Sequence, residues 1–117
     1  MVVQSHLSSA QVDSVFHALA DATRRDVVAR VMGGEPASVS MLASRYRMSF
    51  AAVQKHIAVL ERARLVSKFA AGRERIVRGN PQRLARARAA LSQLESLWLD
   101  RFSRIDVLLT PLSTKGK

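Results

Sequence analysis

A mainly α-helical domain carrying one small β-hairpin is the fold class this sequence predicts, and three observations predict it. Apolar residues recur at helical spacing through most of the chain, in blocks punctuated by capping residues and glycines. The period changes from 3.6 to 2 just after Leu65, where short alternating runs begin. The basic excess is confined to one stretch: from Arg45 to Arg88 there are 12 Lys/Arg against only Glu61 and Glu74. The segment before has 3 basic and 4 acidic residues and the segment after has 4 and 3, so the net charge of +10 belongs to the middle. A one-sign region between balanced flanks is the electrostatic footprint of a polyanion binder.

The first helix is expected from near Ser9, with Val12, Val15, Phe16 and Leu19 at i, i+3, i+4 and i+7. Asp21 reads as the N-cap of a second helix, accepting a bond from an early backbone N–H. That helix shows Val27, Val28, Val31 and Met32 on one side and stops at Gly33-Gly34, where a left-handed residue is tolerated. Pro36 marks the following turn. A short helix, roughly Ser38 to Tyr46, has Val39, Leu42, Ala43 and Tyr46 as its inner face. A brief turn at Arg47 and Met48 leads to Ser49, the cap of a helix expected to bury Phe50, Val53, Ile57 and Leu60. Two short helices with so tight a joint form a helix-turn-helix.

Val66 to Ala70 and Arg75 to Arg78 alternate around a turn containing Gly72, and read as a β-hairpin with Arg73 and Arg75 near its tip. Gly79-Asn80-Pro81 closes it. A hairpin in this position is a wing, so the predicted architecture is a winged helix-turn-helix. The last element runs from about Gln82 to Leu109, with Leu84, Ala87, Leu91, Leu94, Trp98, Ile105 and Leu108 at alternating three- and four-residue spacing. Arg101 takes one heptad position, beside Phe102. At 1.5 Å per residue this helix is about 40 Å long and outreaches a small domain. Its seam packs most simply on a partner subunit, so Val12, Phe16, Leu91, Leu94, Trp98 and Ile105 are the expected homodimer contacts. The chain thus divides into an N-terminal arm (1–10), a winged-helix and dimerisation domain (11–109) and a disordered tail (110–117).

A chain of 117 residues is expected to be one domain. Zero cysteines excludes disulfides, thiolate nucleophiles and thiolate metal sites. The start lacks a basic leader, and no apolar run approaches the ~20 residues that cross a bilayer. No signal peptide and no membrane contact are expected, and the location is cytoplasmic, with the nucleoid. Neither a paired carboxylate, a Ser/His/Asp spacing nor a Gly-rich phosphate cradle is present, so neither an enzyme nor a cofactor is expected. RNA binding through base stacking is disfavoured by 5% aromatics, with Tyr46, Phe50 and Phe69 reading as buried.

Because Val53, Ile57 and Leu60 face inward, positions near 51, 52, 55 and 58 face outward. Ser49, Gln54, Lys55 and His56 lie in the N-terminal half, the end that enters the major groove in helix-turn-helix proteins. Gln54 suits adenine N6/N7 and Lys55 guanine O6/N7, while Ala51 and Ala52 allow close approach to thymine methyls. His56 flanks the buried stripe, so it either joins this set or bonds the adjacent helix. Arg73 and Arg75 suit phosphates or the minor groove, and Arg45 and Arg47 are candidate phosphate clamps. Ser38 and Ser40 fit either phosphate contact or helix capping. Arg83, Arg86 and Arg88 either extend the DNA face or only solvate the dimer.

Taken together, "FHALADATRRDVVARV", "ASVSMLASRYRMSFAAVQKHIAVLERARLV" and "GRERIVR" closely resemble the ArsR/SmtB-type bacterial repressors, over roughly Val12 to Leu109. "LWLDRFSRIDVLL" is similar to a branch whose last helix carries a Trp followed by a basic-aromatic-Leu repeat. The resemblance implies a homodimeric winged helix-turn-helix repressor of double-stranded DNA, often acting on its own operon. A dimer implies an inverted-repeat operator with half-sites about one helical turn apart. A low-specificity architectural DNA binder is the alternative.

The chain departs from the family pattern in places. The Pro of the "ADPTR" motif is Ala22, and the Gly that usually ends the recognition helix is Arg64, where a left-handed non-glycine costs ~1 kcal/mol. The family's metal sensors use cysteines in the helix before the turn, or Asp/His sets on the last helix. Here "VSMLASR" has no cysteine, the last helix has no histidine, and His6, His17 and His56 fall on separate elements. No metal site is expected; repression is relieved by a small molecule, by a protein partner, or by no ligand at all.

Overall fold

The computed structural model describes residues 7–113, and their side chains as far as 105. The order is α1 (Ser9–Ala18), α2 (Ala22–Met32), β1 (Ala37–Ser38), α3 (Val39–Tyr46), α4 (Phe50–Arg62), β2 (Val66–Ala71), β3 (Glu74–Gly79) and α5 (Pro81–Ser113). The strands form an antiparallel sheet in the order β1-β3-β2. This is the mainly α fold with a small hairpin that the patterning predicts.

Capping chemistry sets the helix starts. Ser8 and Gln11 make a reciprocal capping box at α1, with bonds of 3.1 and 2.8 Å. Asp21 accepts from the Arg24 N–H at 3.0 Å, Ser38 from Met41 at 3.0 Å and Ser49 from Ala52 at 3.1 Å. Left-handed residues set several ends: Gly34 at φ +94° follows α2, Arg47 at φ 55° closes α3 and Arg64 at φ 62° follows α4. At both arginines the bonding is of the Schellman kind, with Met48 N–H to Ala43 O at 3.0 Å and Leu65 N–H to Leu60 O at 3.0 Å.

The core gathers Val15 and Ala18 of α1, Val27, Val28 and Val31 of α2, Val39 and Leu42 of α3, and Val53, Ile57 and Leu60 of α4. Leu65, Val66, Val77 and Ala87 close it from the sheet and the start of α5. Each large side chain sealed there contributes about 1.5–3 kcal/mol of hydrophobic burial. Arg24 and Arg25 fix the angle between α1 and α2: Arg24 Nε donates to Ala18 O at 2.7 Å and Arg25 Nη1 to Leu19 O at 2.8 Å.

Several elements differ from expectation. Ser38 is the cap of α3 rather than its first turn, and its pairing with Ile76 makes β1, a two-residue strand without a periodic signal. Both hairpin strands are longer than predicted, and Gly72 at φ +64° opens the two-residue turn between them. Phe50 is 48% exposed and Phe69 38%, so neither belongs to the core. Phe50 is the first residue of α4, ahead of the buried Val53, Ile57 and Leu60. α5 begins one residue early, with Pro81 at the first helical position where its missing N–H costs nothing. It also continues through residues 110–113, which were assigned to the tail, while the helix start at Ser9 shortens the arm. Residues 1–6, with His6, and 114–117 lie outside the described residues.

Candidate nucleic-acid interface

α4 carries its side chains around the axis at about 100° per residue, so the inward set Val53, Ile57 and Leu60 fixes the direction of the rest. Directly opposite lie Ala51, Lys55 and Arg62, all exposed, with half-buried Ala52 and Ala58 beside them. Exposed Ser49 stands at the helix start, where its hydroxyl caps the first turn. The outward face is therefore small at its N-terminal end, with a lysine one turn along and an arginine at its far end. Arg62 shares that line and was not singled out from the sequence; its helical offset from Lys55, seven positions, was the available signal.

Two predicted readers point sideways instead. Gln54 is turned toward the wing: its Oε1 accepts from Lys68 Nζ of β2 at 3.1 Å, and Lys68 also lies 3.8 Å from Glu61. His56 is turned the other way, toward α2. Its Nδ1 accepts from Arg24 Nη1 at 3.2 Å and stands 3.8 Å from Asp21 Oδ2. Of the two readings left open for His56, the structure therefore supports the bond to the adjacent helix. The Asp21 carboxyl is held below its ordinary range, chiefly by the Arg24 N–H of the cap and further by the positive field of the Arg24 guanidinium.

Exposed basic side chains stand on the elements before and after α4. Arg45 is in the last turn of α3, Arg47 is the left-handed residue of the turn, and both are exposed. Arg73 occupies the wing turn and Arg75 the first half of β3, again exposed. On the opposite face of the wing, the Arg78 guanidinium lies 4.6 Å from the Phe69 ring centroid. Tyr46 anchors α3 to α2 by donating its hydroxyl proton to the Asp26 carboxylate; burial, then that carboxylate, pushes its pKa up.

Arg83, the start of the basic triplet on α5, is buried, with Nε donating to Ala63 O at 3.1 Å. Farther along, α5 leaves the domain. Leu91, Leu94, Trp98 and Ile105 are about half exposed or more, as are Leu97, Leu99 and Phe102. Trp98 and Phe102 meet edge to face, 6.2 Å between centroids. Phe16 of α1 is also exposed, whereas Val12 is half-buried. So long an exposed apolar row on one helix is unusual for a monomer surface.

Residues 19–68 match the model of a helix-turn-helix domain. The chain is 37% identical over 93 residues to the HTH-type transcriptional regulator Rv2034 of Mycobacterium tuberculosis, covering 80% of this chain and 86% of that protein. The crystal structure of the ArsR family transcriptional regulator RHA00566 is similar at a TM-score of 0.71 and 33% identity, covering 80% of this chain and 95% of that one. An ArsR-like transcriptional regulator from Rhodococcus sp. RHA1 is similar at 0.72 and 31% identity, covering 85% and 92%.

Proposed function

The chain belongs to the ArsR-type winged helix-turn-helix transcriptional regulators, and from that premise we propose that it is a homodimeric repressor of an inverted-repeat operator. The observation that carries the reading is the outward face of α4, which presents Ser49, Ala51 and Lys55, with exposed Arg45 and Arg47 on the helix and turn before it and exposed Arg73 and Arg75 on the hairpin after it. In this reading the N-terminal half of α4 enters the major groove. Ala51 and Ala52 let the helix approach closely, and Lys55 reaches guanine O6/N7. Arg45, Arg47, Arg73 and Arg75 bind phosphates or the adjacent minor groove and set register without reading bases. Gln54 holds the wing against α4, and His56 ties α4 to α2.

The exposed row on α5, with Phe16 and Val12 of α1, packs against the same row of a second copy. Two-fold symmetry then places two α4 helices about one DNA turn apart. Bound across a promoter in the cytoplasm, such a dimer blocks transcription, its own operon included. A small molecule or protein partner that changes the dimer geometry relieves the block.

The engagement of Gln54 by Lys68 favours a second reading, because it leaves few side chains to read bases: a low-specificity architectural DNA binder. Selection of genomic fragments by the purified protein at physiological salt separates the two. Enrichment of a few promoters sharing an inverted repeat supports the repressor; near-uniform recovery supports the architectural protein.

A further inference from the structure

We propose that the junction between the end of α4 and the start of α5 binds the oxoanion head of a small molecule, at a site separate from the DNA face. Asn80 builds the junction. Its N–H donates to Leu65 O at 2.9 Å, its Nδ2 to Arg64 O at 3.0 Å, and its Oδ1 accepts from the Arg83 N–H at 3.3 Å. Pro81 has no N–H, so the Gln82 N–H is the early donor of α5 left without a backbone or side-chain acceptor. The positive end of a 33-residue helix therefore opens here with a free donor.

Beside it lies a hollow of about 110 Å³ lined by Arg64, Asn80, Gln82, Arg83 and Arg86. Arg83 is only 8% exposed and lines the hollow, and its hydrogen bond to the protein uses Nε alone, so its terminal nitrogens carry no protein partner among the described residues. Among the described residues none of the three arginines has an ion pair. Burial, then the fields of Arg64 and Arg86, disfavour the charge on Arg83. Three like charges around a hollow, one of them desolvated, are an arrangement that a bound oxoanion stabilises through charge-assisted bonds.

The hollow adjoins a wider one of about 550 Å³ that shares Arg64, Asn80 and Gln82 and is bordered by Val66, Ser67, Gly79, Pro81 and Glu61. Glu61 on that side, 3.8 Å from Lys68, makes the wider hollow less suited to an anion than the arginine-lined one, so the ligand has one anionic head and a neutral body. The site lies at the C-terminal end of α4, about 20 Å from Ser49 at 1.5 Å per residue, away from the end that enters DNA.

Calorimetric titration with inorganic phosphate, against chloride at matched ionic strength, tests the site. Saturable binding is expected, weakened about tenfold in Arg86→Gln and in Arg64→Gly, since each removes a charge-assisted contact. Arg64→Gly keeps a left-handed position in the residue that suits it, so folding survives in that variant. Lys55→Gln and Arg75→Gln are expected to bind phosphate as the parent does, and saturating duplex DNA is expected to leave the titration intact. Binding no tighter than chloride overturns the proposal. So does loss of binding in Lys55→Gln or Arg75→Gln, or its displacement by DNA, because each assigns the anion to the DNA face.

Discussion

Lys68 Nζ on the wing stands 3.1 Å from Gln54 Oε1 on the recognition helix, so the residue best suited to read adenine is a strut between two elements. Gln54→Ala should therefore cost about 1 kcal/mol of folding stability, a typical partly exposed hydrogen bond, and leave the selected DNA motif unchanged. Urea denaturation and fragment selection on the same variant decide it. Unchanged stability with a changed motif would return Gln54 to the set of base readers.

Asp21 caps α2 and also faces His56, so its removal loosens the seat of α4 as well as the helix start. Asp21→Ala should cost about 1 kcal/mol at neutral pH, whereas Asp21→Asn, itself a good cap, should retain most of that. The sign of the pH dependence follows from the lowered carboxyl pKa. A depressed folded-state value stabilises above the unfolded pKa, near 3.8, and that gain is lost as pH falls through the folded value. The gap between parent and Asp21→Ala in chemical denaturation should thus be constant from neutral pH to about pH 5 and shrink below about pH 4. A gap that stays constant down to pH 3 would show that the charge of the Asp21 carboxylate does not carry it.

Most of the fold was legible because it rests on local signals. Ser49 and Asp21 cap where their chemistry says they should, and Val53, Ile57 and Leu60 fix the inward side of α4 by spacing alone. The element matching Ala37–Ser38 was illegible because a two-residue strand has no period; it exists only through its pairing with Ile76 and Val77. Phe50 was misread for a related reason: helical spacing says which side a residue lies on, not whether anything packs beneath the first turn. In the site, the outward direction of Ala51 and Lys55 could be read, but not which neighbours would claim Gln54 and His56. Those bonds come from Lys68 and Arg24, 14 and 32 positions away.

Gly79 is needed for close approach rather than for an unusual backbone. A Cβ there would stand 2.9 Å from Met32 Sδ and 3.0 Å from Val31 O. The thioether can swing aside, but the carbonyl belongs to the last turn of α2 and cannot. Gly79→Ala should cost about 1–3 kcal/mol, the usual penalty for overpacking, and shift the urea midpoint accordingly. A variant as stable as the parent would show that the base of the wing yields freely.

Arg75 tests the wing's contact with the phosphate backbone. Its replacement by alanine should weaken binding to all DNA sequences alike and flatten the salt dependence of log K by roughly one unit. Fluorescence anisotropy over a salt series reads both quantities. An unchanged slope would remove the wing tip from the interface.

The exposed row on α5 makes the sharpest demand. Trp98 is 59% exposed and Phe102 61%, and Leu91, Leu94 and Ile105 lie near them on the same helix beyond the core. Burying that row against a second copy would return several times the ~1.5–3 kcal/mol that each such side chain gives. One charge in its middle should be disruptive, because it would be sealed without a partner. Trp98→Glu is therefore expected to sediment as a monomer at concentrations where the parent is a dimer. Its core lies elsewhere, so the circular dichroism of the domain should persist apart from the unsupported end of α5. DNA affinity should fall steeply for the full inverted repeat and little for an isolated half-site, since only the former depends on two linked α4 helices. A parent protein that sediments as a monomer would overturn the homodimer, and a Trp98→Glu variant that remains a dimer would place the association surface elsewhere.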